Sequence, residues 1–439
     1  MKISILHKFF LSFTLVLASF PLLPFGVRSV VTVIWCLSGI LFYFKENKIN
    51  VKLNKEIWVF LIPYLILIFS LIYSKNTNEG INTLTKMLSF IIIPIPFFLN
   101  RNIFNNKNVF RIIYVFSIAV VLLVLYQLSV VLFNMDYLLE GLSVSEIKIN
   151  GYKSIHEVTE EAVSRIKLRR FRSFINTISN THTTYQGLWI SFTIFIFSAS
   201  IYKRKIWAER VVLFFLVVIL LTWLYLISTR MPLLSLLVSS IITIVVFGRL
   251  TKKKLFYLGF TFSLICILTL SFKNPLSIRV KEYFNTGFQV LNKSSKINDY
   301  NSSNVRNGIY YCSLNLIPKN LFLGVGIGDM QDELNNCYST ELSSVIYSWN
   351  DYNTHNQYLL FFVSSGVIGF IAFMFFLFYM IRKSYRDKNF IYFYFIISIC
   401  LMFLTENILV RSDGVIFFSF FNSLLFFNTL KKKNSYDYN

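Results

Sequence analysis

The chain has 439 residues, of which 55% are hydrophobic, 18% aromatic and only 15% charged, and its mean hydropathy is +0.59. Soluble domains run at roughly 45–50% apolar and about 25% charged residues, so this composition excludes an ordinary water-soluble globule. The formal net charge of +22 raises nucleic acid as a partner, but the basic residues sit in short clusters between apolar runs, as membrane topology requires, and no nucleic acid is expected.

About twelve apolar runs follow one another, near 9–24, 28–44, 57–74, 83–99, 109–133, 183–201, 208–227, 231–248, 255–272, 356–381, 389–405 and 412–430. Runs of about 18 or more apolar residues span a bilayer as helices. The expected fold is all-α: a polytopic integral membrane protein of about 12 transmembrane helices, one transmembrane domain over 1–439, with a large, partly helical loop between helices 9 and 10. Lys2 and Lys8 precede the first run, yet Leu17-Ala18-Ser19-Phe20-Pro21 is a poor cleavage site, so the run reads as a retained first helix.

The basic clusters are Lys45 to Lys55, Arg101 to Arg111, Lys203 to Arg210, Arg249 to Lys254, Arg382 to Lys388 and Lys431 to Lys433. All fall on one side if the helices alternate, and the short connections opposite hold Arg28, Lys75, Arg230 and Arg411. The positive-inside rule then predicts cytoplasmic termini.

Two long polar segments, 134–181 and 273–355, fall on the outer side. In the first, residues 156–171 read as an amphipathic helix with acids first and bases last, which suits the helix dipole. It lies on the membrane face or is a solvated surface helix. His182 follows in a polar cluster at the outer end of the next helix. Ser228-Thr229-Arg230 then joins two apolar runs. An outer-side Arg either has an anionic partner or snorkels to lipid phosphate.

In the second segment, Val305 to Ile317 reads as a helix with Ile309, Tyr310, Leu314 and Ile317 on its apolar face and Pro318-Lys319-Asn320 as its stop. Arg306 opens it, and a guanidinium fork suits phosphate oxygens. Gly324, Gly326 and Gly328 alternate after Leu323, a pattern that suits close backbone approach better than a nucleotide loop. Cys312 and Cys337 share this segment, where an oxidising compartment permits a disulfide. Cys36, Cys266 and Cys400 lie in apolar runs and read as core. No CxxC or His/Cys cluster marks a metal site, and no cofactor is expected.

The stretch Asn353-Thr354-His355-Asn356-Gln357-Tyr358-Leu359 carries one of only four histidines, where the polar loop meets an apolar run. With Thr354 as N-cap, His355 falls in the first helical turn, where the positive end of the macrodipole favours the neutral base. It serves as a general base or as a capping residue, and Asn356 orients it or a substrate. Glu406 and Arg411 form a further outer cluster that pairs internally or lines the same cavity.

The series Ser228-Thr229-Arg230, Arg306, Leu323-Gly324-Val325-Gly326-Ile327-Gly328, His355-Asn356-Gln357-Tyr358-Leu359 and Ser365-Gly366-Val367-Ile368-Gly369 resembles the O-antigen ligase and O-antigen polymerase superfamily, over a core region of roughly 183–375. Members commonly carry Ser directly before the first Arg, and Thr229 intervenes in this chain. The resemblance implies a metal-independent, inverting glycosyltransferase of the bacterial inner membrane with its site facing the periplasm. It implies a donor glycan on undecaprenyl diphosphate, an acceptor that is lipid A–core or a growing glycan, and contact with membrane lipids. It makes Arg230 and Arg306 the diphosphate ligands and His355 the base, with Asn356, His182, Glu406, Arg411, Gly324 and Gly326 binding substrate. Ligase, repeat-unit polymerase and protein O-glycosylating ligase share this chemistry. A lipid-linked oligosaccharide flippase is the competing class, but transporters hold substrate near the bilayer midplane, whereas these polar groups share one face.

Overall fold

The computed structural model describes residues 5–46, 55–248, 284, 286–293 and 300–428, and these contain helices and turns but no strand. The helices, numbered among the described residues, begin with α1 (Ile5–Ala18), α2 (Phe25–Glu46), α3 (Lys55–Ser70), α4 (Thr77–Met87), α5 (Ser89–Ile92) and α6 (Pro94–Leu99). Next come α7 (Asn106–Phe133), α8 (Met135–Leu139), α9 (Val144–Ile149), α10 (Glu160–Ser179), α11 (Thr183–Lys203), α12 (Trp207–Leu226) and α13 (Arg230–Phe247). The rest are α14 (Ser302–Lys319), α15 (Met330–Cys337), α16 (Gln357–Arg386), α17 (Phe390–Met402) and α18 (Ser412–Phe427).

Among the described residues, seven stretches are long and apolar enough to cross a membrane: α2, α3 with its 3-10 extension, α7, α11, α12, α13 and α16. Helices α1, α17 and α18 are shorter and apolar. The expected run at 255–272 lies outside the described residues. The run expected at 83–99 is not one straight helix. It begins at Thr77, where the Asn76 side chain accepts from Glu79 N, and it bends by 41° between Thr77–Met87 and Ser89–Leu99. Pro94 and Pro96 lie farther along, within the second limb, where neither can donate to the helical ladder.

Helix α18 is the centre of the bundle, buried from Asp413 to Phe427. A helix apolar on every side belongs in such a place. Phe116, Phe192 and Phe417 meet Phe421 at ring-centroid distances of 4.7, 5.1 and 5.3 Å. Phe60 stacks on Phe427 at 5.2 Å. Lipid is as apolar as these rings, so shape-matched packing rather than water exclusion holds such helices together. Leu41, Phe69, Ile118, Leu132, Phe215 and Phe378 instead face outward, as a lipid-contacting surface requires.

The polar segment 134–181 folds as α8 to α10. Its amphipathic helix starts at Thr159, whose hydroxyl accepts from Ala162 N. It runs to Asn180, in the left-handed conformation at φ 48°. Arg170 anchors this unit by donating from Nε to Glu146 at 2.7 Å, which draws the Glu146 carboxyl down to about 2.

Helix α14 runs from a capping box at Asn301 to Lys319, one residue beyond Pro318. Its buried face is Val305, Ile309, Cys312 and Leu316. Leu314 is exposed, contrary to the face read from sequence, because Cys312 turns inward to bond Cys337 of α15.

Helix α16 is broken within its apolar length. Ser365 and Gly366 leave helical geometry, Gly366 at φ 64° and ψ −162°. A break frees backbone groups that lipid cannot satisfy. The loop after α14 satisfies them: Val325 N donates to Val363 O at 2.8 Å, Gly326 N to Ser364 O at 3.0 Å, and Val367 N to Leu321 O at 2.8 Å. A Cβ on Gly366 would stand 2.2 Å from Phe322 O. Gly366→Ala is therefore expected to destabilise the protein by about 2 kcal/mol or more, read as a lower midpoint of thermal unfolding in detergent.

Candidate functional site

Three polar junctions stand at one end of the bundle, and each contains a non-glycine residue at positive φ: Asn180 (48°) before His182, Ser228 (50°) before Arg230, and His355 (43°) itself. Such conformations cost of order 1–3 kcal/mol and persist only where the surroundings impose them.

At His355 the surroundings are explicit. The N-cap of α16 is Asn356, not Thr354: its Oδ1 accepts from Tyr358 N at 2.9 Å and Leu359 N at 3.1 Å. His355 thus lies ahead of the helix rather than in its first turn, because Thr354 is bonded to Asn407 and leaves the cap to Asn356. Its own N–H donates to Asn353 Oδ1 at 3.0 Å. On either side the chain is clamped to the segment between α17 and α18. Gln357 N donates to Phe403 O at 2.8 Å. Leu409 N donates to Gln357 Oε1 at 3.0 Å. Asn407 Nδ2 donates to Thr354 Oγ1 at 2.9 Å, and Asn356 Nδ2 to Leu404 O at 3.1 Å.

The clamp sets Glu406 opposite His355, with Oε2 3.9 Å from Nδ1, and with Oε1 3.0 Å from Arg306 Nη2. The Glu406 side chain is 13% exposed, those of His355 and Arg306 31% and 34%. Burial raises the Glu406 carboxyl above its ordinary range, against the pull of Arg306, Arg411 and Arg172. His355 is pushed down to about 4, by burial first and then by Arg306, Arg411 and His182. Burial and the arginines, rather than the helix dipole, depress it. Glu406 takes Arg306 as its ion-pair partner, and Arg411 stands exposed at the edge of the group.

His182 joins the same group. It is the N-cap of α11, with Nδ1 accepting from Thr184 N at 3.3 Å. Crowding by its neighbours and the charges of Arg172, Arg411 and Arg306 hold its pKa below the ordinary value. Arg172 on α10 was not singled out by sequence. Its signal lay in the arginine-rich end of α10, which reads equally well as a solvated surface.

Arg230 opens α13 at the same end of the bundle. Ahead of it Thr229 packs on α11, where a Cβ on Gly187 would meet Thr229 Oγ1 at 2.6 Å. Gly324 and Gly326 adopt φ 72° and 94°, and both spend their N–H groups on protein acceptors, Asn320 O and Ser364 O. Their role is the close backbone approach that glycine permits, and a phosphate cradle would need those donors free. A polar cavity of about 390 Å³ is lined by Gly324 together with Lys75, Lys319, Asp329, Glu333 and Glu341 among others.

Residues 215–374 match the family model described as O-antigen ligase. That range takes in Arg230, Arg306, the 321–326 loop, His355 and the break in α16. Arg172, His182, Glu406 and Arg411 fall outside it. No curated protein matches the chain. The family implies a glycosyltransferase-like membrane enzyme of the O-antigen pathway, with a lipid-linked glycan and an acceptor as partners.

Because Asn356 caps α16 and ties it to Leu404, Asn356→Ala is expected to lower stability by about 1–2 kcal/mol. Asn356→Asp keeps the acceptor and is expected to lose less; unfolding in detergent compares the two.

Proposed function

From its place in the O-antigen ligase/polymerase superfamily, we propose that this chain transfers a glycan from undecaprenyl diphosphate to an acceptor hydroxyl, lipid A–core in the ligase reading. The observation that supports this is a neutral histidine 3.9 Å from a shielded carboxylate that itself holds an arginine at 3.0 Å.

A neutral imidazole takes a proton; an imidazolium cannot. With Nδ1 turned to Glu406, Nε2 accepts the proton of the acceptor hydroxyl. The hydroxyl oxygen bonds to the anomeric carbon from the face opposite the diphosphate, the bond from that carbon to the diphosphate oxygen breaks, and the anomeric configuration inverts. Undecaprenyl diphosphate leaves with the bonding electrons. Arg306 and Arg230, with Arg411 at the edge, bind its phosphates and stabilise the developing charge. The new imidazolium finds Glu406 within reach, which stabilises the charged intermediate state.

The basic residues support an outer-facing site. Helix α16 starts beside His355 and ends at Lys383 and Arg386, and α11 starts beside His182 and ends at Lys203. The positive-inside rule puts those ends in the cytoplasm and the site in the periplasm. A repeat-unit polymerase uses the same donor chemistry and is favoured by the same residues. Deleting the gene separates the two: carrier-linked polymer without capped lipid A–core means ligase, and single-repeat capping means polymerase.

His355→Ala is expected to abolish transfer while membrane insertion and expression stay normal; normal transfer by that variant would overturn the mechanism. Folded His355 titrates near 4, so it remains a base on lowering pH until that range. The pH profile of kcat/KM should therefore show no inflection near 6.5 and an acid limb toward 4. For orientation, alkaline phosphatase fused after residue 300 is expected to be active and fused after residue 385 inactive.

A further inference from the structure

We propose that Arg172, on α10, is a fourth cation of the donor site, beside Arg230, Arg306 and Arg411, and contacts the diphosphate. The inference rests on the functional reading above and adds a ligand from a segment outside the matched family region.

Arg172 is half-buried and held in place. Its Nε and Nη2 donate to Thr183 Oγ1 at 3.2 and 3.0 Å. Thr183 is the first residue of α11, directly after His182. Its own N–H donates to Asn176 Oδ1 of α10 at 2.8 Å, so the two helices are locked where Arg172 projects. Helix α10 is itself anchored: Ile175 is fully buried, and Phe171 meets Trp223 edge-on at 6.1 Å.

The first turn of α11 reaches the other members of the site. A Cβ on Gly414 would stand 2.9 Å from the Tyr185 ring, three residues beyond Arg411. Arg28 binds both Thr181 and Asp413, which ties the approach to α11 to the start of α18. Arg172 from α10, Arg306 from α14 and Arg411 from the start of α18 thereby converge on one space, and the charges of all three act on both His182 and Glu406.

Cations outnumber acids here: Arg172, Arg306 and Arg411 act on Glu406, and Arg230 adds a further positive charge to the proposed site. The net positive charge attracts a diphosphate diester, which carries one negative charge on each phosphate. Guanidinium forks bind such oxygens in pairs, and each arginine comes from a separate element, so the anion is gripped from several sides.

The test uses the purified full-length protein in nanodiscs, with undecaprenyl diphosphate and undecaprenyl monophosphate as probes. Arg172→Gln should weaken diphosphate binding about tenfold or more, weaken monophosphate binding less, raise the donor KM more than it lowers kcat, and leave the unfolding temperature unchanged. Arg172→Lys should recover part of the affinity. Equal diphosphate affinity in Arg172→Gln and the parent protein would overturn the proposal. If Arg172→Gln does not fold, Thr183→Val takes its place: it removes the seat of the guanidinium and keeps the charge, and an unchanged affinity there would overturn the proposal equally. Failure of the parent protein to bind undecaprenyl diphosphate at all would remove the functional reading along with this inference.

Discussion

The geometry of the site depends on one polar clamp, between Thr354–Gln357 and the segment from Phe403 to Leu409. Gln357 is fully buried and pairs with both ends of that segment, its N–H with Phe403 O and its Oε1 with Leu409 N. Thr354 is equally buried and pairs with Asn407. His355 lies between two anchored neighbours, so its φ of 43° is imposed rather than chosen. Glu406 lies next to anchored Asn407 and faces it. The 3.9 Å between imidazole and carboxylate is a property of the clamp. Mutual attraction is not needed to hold them there, since the imidazole is neutral.

A second constraint holds Arg306 in register with that clamp. Helix α14 carries Arg306 and is joined to α15 by the Cys312–Cys337 bond. Helix α15 grips the approach to His355, with Gln331 Nε2 and the Tyr338 hydroxyl both donating to Tyr352 O. The chain leaving α14 inserts into the break of α16. Arg306 and His355 therefore belong to one cross-braced unit, although 49 positions separate them in sequence. The disulfide constrains the unfolded chain over a 25-residue separation, worth on the order of 3 kcal/mol.

The membrane character and most helices were legible in the sequence because an apolar run of bilayer length has few other uses. The candidate residues His182, Arg230, His355 and Glu406 were legible because each borders or interrupts a strong hydrophobic pattern, whereas Arg306 lies in a polar segment and stood out through the family resemblance. The details were not. Thr354 and Asn356 are both competent caps, and tertiary bonds to Leu404 and Asn407 decide between them. Arg172 sits among several arginines on an amphipathic helix, where no local pattern tells a solvated side chain from one turned to the site. Gly324 and Gly326 announced close backbone approach, but the partner, a broken helix 40 residues onward, is a long-range fact.

The electrostatics of the group carry a further consequence. Two causes depress His355, burial and the field of the arginines, and they behave differently when an anion arrives. Burial persists or deepens. The arginine field is cancelled by the charges of a bound diphosphate, so that part of the depression disappears. In the free protein the histidine is kept neutral, and its weak basicity guards against premature protonation. On the proposed mechanism, a bound donor would relieve only the arginine part of the depression, leaving that of burial. The same cations would then bind the leaving group and strengthen the base only when that leaving group is present. A histidine held neutral by burial alone would lack this dependence, which is why the arginines and His355 are best read as one device.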